Sequence, residues 1–216
     1  MSIKIGGADP HGRDTVSFFI ILILLLCILS CLLYIMITTS PLIFNYDKNR
    51  VLYLCGTHGN ECAPCDAFSR DNGESHIIVN PSACKINRRS YFFQKDINRS
   101  YDDNNILIPY IKNNKLIVDF HEAWGFKPPS LGKTIFVNKS AVNKYGLQMF
   151  QSLANIIQFT LVTTLPPIEK SLDYYCDQND IPYVLVEIPG QNDILPRKYR
   201  VELTKYIVNY FETILG

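Results

Sequence analysis

The chain opens with an almost unbroken apolar run. Residues 17–37 read SFFIILILLLCILSCLLYIMI, and no charged residue stands between Asp14 and Asp47. Crossing the hydrocarbon core of a bilayer as a helix takes ~20 predominantly apolar residues. A core helix of this length would show a polar face, and this run has none. The rival is a cleaved signal peptide, whose apolar region usually runs ~7–15 residues and ends at small residues. Here the run is longer and passes into Thr38, Thr39, Ser40 and Pro41. The pattern predicts a short tail over 1–16, a transmembrane helix over 17–39 and a linker over 40–50.

Further on, short apolar runs bounded by Gly, Pro and Asn alternate with helical periodicity. Strands are predicted at 51–55, 76–79, 115–120, 134–137, 159–164 and 183–188. Runs of this kind suit strands buried on both faces. Helices are predicted over 140–158, from the spacing of Val142, Tyr145, Met149, Leu153 and Ile156, and over 197–215, from Tyr199, Leu203, Ile207, Tyr210 and Phe211. Strands alternating with helices indicate an α/β fold, here a mixed and mostly parallel sheet flanked by helices. It would fill 51–216 as one domain, preceded by the membrane helix.

Composition changes this picture little. The 216 residues carry Lys+Arg 21 against Asp+Glu 20, a formal net charge of +1, so no global field draws the protein to nucleic acid. Lys4 and Arg13 before the apolar run nearly balance Lys48 and Arg50 after it, so the positive-inside rule leaves orientation a tie. Cys27 and Cys31 fall in the run, leaving Cys55, Cys62, Cys65, Cys84 and Cys176 in the domain. That odd number argues against a fully oxidised set. The sequon Asn98-Arg99-Ser100 lies among candidate site residues, where a glycan would obstruct, which tilts the domain towards a cytosolic face.

The chemistry gathers at strand ends, where ligands bind in open α/β sheets. Gly56-Thr57-His58-Gly59-Asn60-Glu61 follows the first strand of the domain. A helical turn starting near His58 would bring His58 and Glu61 onto one side, and two imidazoles with a carboxylate suit hydrolytic zinc. Val118-Asp119-Phe120-His121-Glu122 supplies a further histidine where the chain leaves the sheet, with Asp119 able to orient it. In the segment 87–99, Arg99 with the Asn98 amide could clamp a substrate carboxylate, and Arg88 or Arg89 could face a developing oxyanion. Glu187 ends an apolar run, where a carboxylate is tolerated if it faces a cleft and exchanges protons. Taken singly, each of these also reads as an ordinary loop or surface residue.

Together the ordered motifs GTHGNE, NPSACKINRR, DINRSY, VDFH and VEIP resemble the zinc metallocarboxypeptidase superfamily, including its aspartoacylase and succinylglutamate desuccinylase branch. The resemblance spans 51–194. It implies a zinc carboxypeptidase-like catalytic domain holding one zinc ion on His58, Glu61 and His121. It also implies Glu187 as general base, Asn98 and Arg99 as carboxylate clamp, and Arg89 as the oxyanion residue, with Arg88 competing. Ser171-Leu172-Asp173-Tyr174-Tyr175 looks like the carboxypeptidase branch, in which Leu172 would line the specificity pocket, whereas GTHGNE looks more like the acylase branch. The expected activity is hydrolysis of an amide bond in a peptide or N-acyl amino acid with a free carboxylate. The alternative is a binding or scaffold domain that keeps the fold without turnover.

Overall fold

A computed structural model describes residues 10–68, 73–88, 101, 105–123, 131–164, 168–190 and 195–216. It divides into two compact units, 1–39 and 40–216. The first contains helix α1 (Pro10–Thr39). Its side chains are described over 18–34, and all of these are exposed. Among the described residues no helix is long and apolar enough to cross a membrane. The expected span 17–39 is therefore helical, but its crossing of a bilayer is not shown.

Among the described residues the second unit is built on seven strands: β1 (Leu42–Phe44), β2 (Val51–Cys55), β3 (Ser75–Ile78), β4 (Leu116–Ala123), β5 (Thr134–Val137), β6 (Thr160–Val162) and β7 (Tyr183–Pro189). Their order across the sheet is β1-β3-β2-β4-β7-β5-β6. The inner pairs β3/β2, β2/β4 and β4/β7 are parallel, while β1/β3 and β7/β5 are antiparallel. The sheet is thus mixed and mostly parallel, as the apolar runs imply. β1 falls inside the segment expected to be a linker. Three residues are too short to show an alternating pattern.

The helices are α2 (Pro81–Ile86), α3 (Ile108–Ile111), α4 (Lys139–Tyr145), α5 (Leu147–Ile157), α6 (Leu172–Gln178) and α7 (Arg197–Leu215). Local chemistry sets several of their starts. The side chains of Asn80, Asn138 and Ser171 accept hydrogen bonds from the backbone N–H groups of Ala83, Ala141 and Tyr174, capping α2, α4 and α6. One helix expected over 140–158 is two, parted at Gly146 (φ 80°, ψ 144°). Periodicity carries across that break because both helices feed one apolar cluster, Ala141 from the first and Phe150, Leu153 and Ala154 from the second.

Alternation along β2, β4 and β7 divides the core. Tyr53, Val118, Phe120 and Val186 pack with Phe150, Leu153, Ile207 and Phe211 of α5 and α7. Leu54, Ile117, Tyr183 and Leu185 pack on the other face with Ile111, Leu172 and Cys176. Each such side chain contributes about 1.5–3 kcal/mol through burial. Both faces are covered, so β2, β4 and β7 open to ligands only at their ends.

Candidate metal centre

β2 ends at Cys55, and Gly56 leaves it with φ +67°. The chain then turns at once, with the Glu61 N–H donating to the His58 carbonyl at 2.9 Å. This is a β-turn and not the expected helical turn, yet its i,i+3 closure has the same effect. His58 Nδ1 lies 3.0 Å from Glu61 Oε1.

β4 reaches Ala123, further than its apolar run predicts, because pairing with β7 continues to Ala123 opposite Pro189. His121 therefore sits within the strand and does not leave the sheet at its rim. Its Nδ1 lies 3.3 Å from Glu61 Oε2, and the His58 and His121 rings meet edge-on with centroids 5.1 Å apart. Ligand atoms of His58, Glu61 and His121 all lie within 4.8 Å of one another, and all three residues are buried.

Asp119, two residues earlier on the same face, is fully buried. Its carboxylate stands 3.2 Å from His121 Nε2 and accepts from Tyr183 Oη at 3.0 Å and Thr57 Oγ1 at 3.4 Å. With Nε2 turned to Asp119, Nδ1 is the ring nitrogen facing Glu61, where it donates in the metal-free protein and would instead give its lone pair to a bound ion. Burial alone would lower the His121 pKa, but the Asp119 and Glu61 carboxylates outweigh it and hold the ring well above 6.5. Burial would raise Glu61, and hydrogen bonds from His121 and His58 reverse this, bringing it down to about 2. Glu61 is thus an anion set between two imidazoles. Two imidazoles and a carboxylate converging in a buried cluster fit zinc.

Glu187 stands in register with His121 on the neighbouring parallel strand, so the two share a face of the sheet. It is half-buried, and burial pushes its carboxyl up to about 7, opposed by His121 and assisted by Glu61. Glu122, the other acid beside the cluster, points to the opposite face. It pairs with the buried Arg200 of α7, and its Oε1 accepts from the Ala63 N–H at 2.7 Å. Those contacts occupy Glu122 as a brace.

Not every expected site residue joins this group. Arg89, Asn98 and Arg99 lie outside the described residues. Arg88 is exposed, just beyond the left-handed Asn87 that ends α2. Leu172 opens α6 and is fully buried in the apolar core, alongside Tyr175 and Tyr183.

Sequence reasoning missed the cysteine pairing. Cys55 bonds Cys65, and Cys62 bonds Cys84, leaving Cys176 buried as a thiol. The odd count, which argued against a fully oxidised set, agrees with the free Cys176, while the other four pair. The signal was the crowding of Cys55, Cys62 and Cys65 around His58 and Glu61. Arg200 was missed as well, since helical periodicity marks apolar positions and says nothing of a charged one turned inward.

No family model matches the chain, and no curated protein matches it. Solved structures share its fold. The cell shape determinant Csd4 of Helicobacter pylori aligns with TM-score 0.56 and 16% identity over 82% of this chain and 54% of its own. The murein-tripeptide amidase MpaA of Escherichia coli O157 gives 0.51 and 17% over 79% and 82%. Succinylglutamate desuccinylase of Vibrio parahaemolyticus gives 0.51 and 14% over 79% and 58%. The chain spans about half the length of Csd4. These likenesses show the fold, one shared with Csd4, MpaA and the desuccinylase.

Proposed function

We propose that the domain is a zinc-dependent hydrolase that cleaves an amide bond in a peptide or N-acyl amino acid carrying a free carboxylate. One observation carries the reading. His58 and Glu61 beyond β2, and His121 on β4, converge with Glu187 of β7 at one end of the sheet. Csd4, which shares the fold, is a D,L-carboxypeptidase solved with bound mDAP and with a bound tripeptide. That supports a peptide-like substrate here.

When bound to His58, Glu61 and His121, zinc supplies a Lewis acid and lowers the pKa of water. Asp119 holds the His121 proton at Nε2 and keeps Nδ1 free to ligate. Glu187 takes the proton of the attacking water and passes it to the leaving nitrogen, a role suited to a carboxyl raised to about 7. In this reading steadying the oxyanion falls to Arg89, with Arg88 competing, and recognition of the substrate carboxylate to Asn98 with Arg99. In this reading Leu172 acts from the core, supporting the pocket wall.

The helix over 17–39 anchors the protein in a membrane as a single pass. Two disulfides favour an oxidising compartment for 40–216 over the cytosolic face suggested by the sequon.

Metal analysis and turnover on paired substrates test the enzyme reading. About one zinc per chain is expected, lost in His58→Ala. The free acid of a peptide or N-acyl amino acid should be cleaved and its amide hardly at all. Arg99→Ala should weaken kcat/KM on the acid by about 2–5 kcal/mol. Equal wild-type rates on both forms would exclude the carboxylate clamp. Bound zinc without turnover on any such substrate would leave the scaffold reading.

A further inference from the structure

The loop that carries two of the three ligands has almost no regular structure. Between Cys55 and the 3₁₀ turn Pro64–Ala67 it holds no helix or strand, only turns closed by Glu61 on His58 and by Cys65 on Cys62, yet His58 and Glu61 are buried there. The two disulfides are arranged around this loop. Cys55–Cys65 closes a ring of chain that contains both ligands. Cys62, the residue after Glu61, is bonded to Cys84 in α2.

α2 in turn rests on the loop. A Cβ at Gly59 would overlap Ala83 and the Arg88 carbonyl, so backbone meets backbone there. The sulfurs crowd the loop's start as well. A Cβ at Gly56 would lie 2.7 Å from Cys84 Sγ, 3.2 Å from Cys65 Sγ and 3.3 Å from Cys62 Sγ. Both glycines belong to the ligand motif itself.

We infer that Cys55–Cys65 and Cys62–Cys84 are positioning groups of the metal centre, holding the 56–61 loop against α2 so that His58 and Glu61 are prearranged for the ion. This rests on the zinc reading above and adds that metal affinity depends on the redox state of the four cysteines. Reduction by a water-soluble phosphine releases both. For each S–S bond the phosphine is oxidised to its oxide with oxygen from water, and two electrons and two protons convert the bond to two thiols. Free of its staples, the loop must be ordered by the metal at the moment of binding, which weakens affinity.

The test uses the full chain in detergent, as wild type and as the paired variants Cys55→Ala/Cys65→Ala and Cys62→Ala/Cys84→Ala. Zinc affinity is read by competition with a chromophoric chelator, and amide hydrogen exchange over 56–63 is read in the metal-free protein. Loss of groups that orient ligands typically costs about 10–100-fold in metal affinity, and each pair should fall in that range with faster exchange at 58–61. If a variant loses its far-UV circular dichroism, wild type before and after phosphine treatment gives the same comparison. Unchanged affinity and unchanged exchange in folded protein would overturn the inference, as would four titratable thiols at these positions in protein kept from reductant. Should wild type bind no zinc, the metal reading fails, and hydrogen exchange alone decides the staple.

Discussion

Glu187 occupies the last polar position of a strand that is otherwise dry, and its ionisation is set by that place. In the metal-free protein its folded pKa of about 7 lies above the usual 4.5. Folding is then unpenalised below 4.5, loses stability as pH rises from 4.5 through 7, and carries the full cost above 7. Each unit is worth ~1.4 kcal/mol, so Glu187→Gln should stabilise the metal-free protein by about 1–3 kcal/mol at pH 8. At pH 4 it should change little. Equal shifts in Tm at the two pH values would show that this carboxyl is not desolvated. The same variant should bind zinc normally and lose activity by roughly 10²–10⁴-fold. At this scale His58, Glu61, His121 and Glu187 were legible as candidates, because each is a polar residue inside or just after an apolar run. Strand register adds that Glu122 lies on the opposite face of the sheet from His121 and Glu187.

α7 shows what an element adds to its residues. Its start and end match the periodicity of 197–215, and Ile207 and Phe211 cover one face of the sheet. Its less visible contribution is Arg200, 4% exposed and paired with Glu122 at 2%. That pair braces β4 immediately beside His121, while Glu122 also receives the N–H of Ala63 from the loop after Glu61. Removing one partner of a buried pair typically costs about 3–5 kcal/mol, because the remaining charge is left uncompensated. Arg200→Met should lower stability by that amount in urea unfolding, and adding Glu122→Gln should restore part of it. Additive losses in the double variant would mean that the two side chains do not interact. Gly146 makes the complementary point. It parts α4 from α5 through a backbone conformation, φ 80° and ψ 144°, that only glycine adopts easily. Hydrophobic spacing alone carries no trace of it.

At the scale of the whole chain, the proposal joins an apolar helix to a disulfide-stapled hydrolase domain. Full-length protein should stay in the pellet after carbonate extraction, and a shortened soluble chain would indicate a cleaved signal. On intact membranes the domain should resist cytosolic-side protease if it faces an oxidising compartment. Digestion from the cytosolic side would restore the orientation favoured by the sequon. The sequence by itself determined the α/β class, five of the strand positions to within a residue or two at either end, α7, and the order of the ligand motifs. These are local properties, written in runs of apolar residues and in what interrupts them. Tertiary structure decided the strand order, the extension of β4 through His121, the facing of Glu187, the burial of Leu172 and the pairing of four cysteines. Each depends on which distant segments come to lie side by side, and spacing along a chain does not encode that distance.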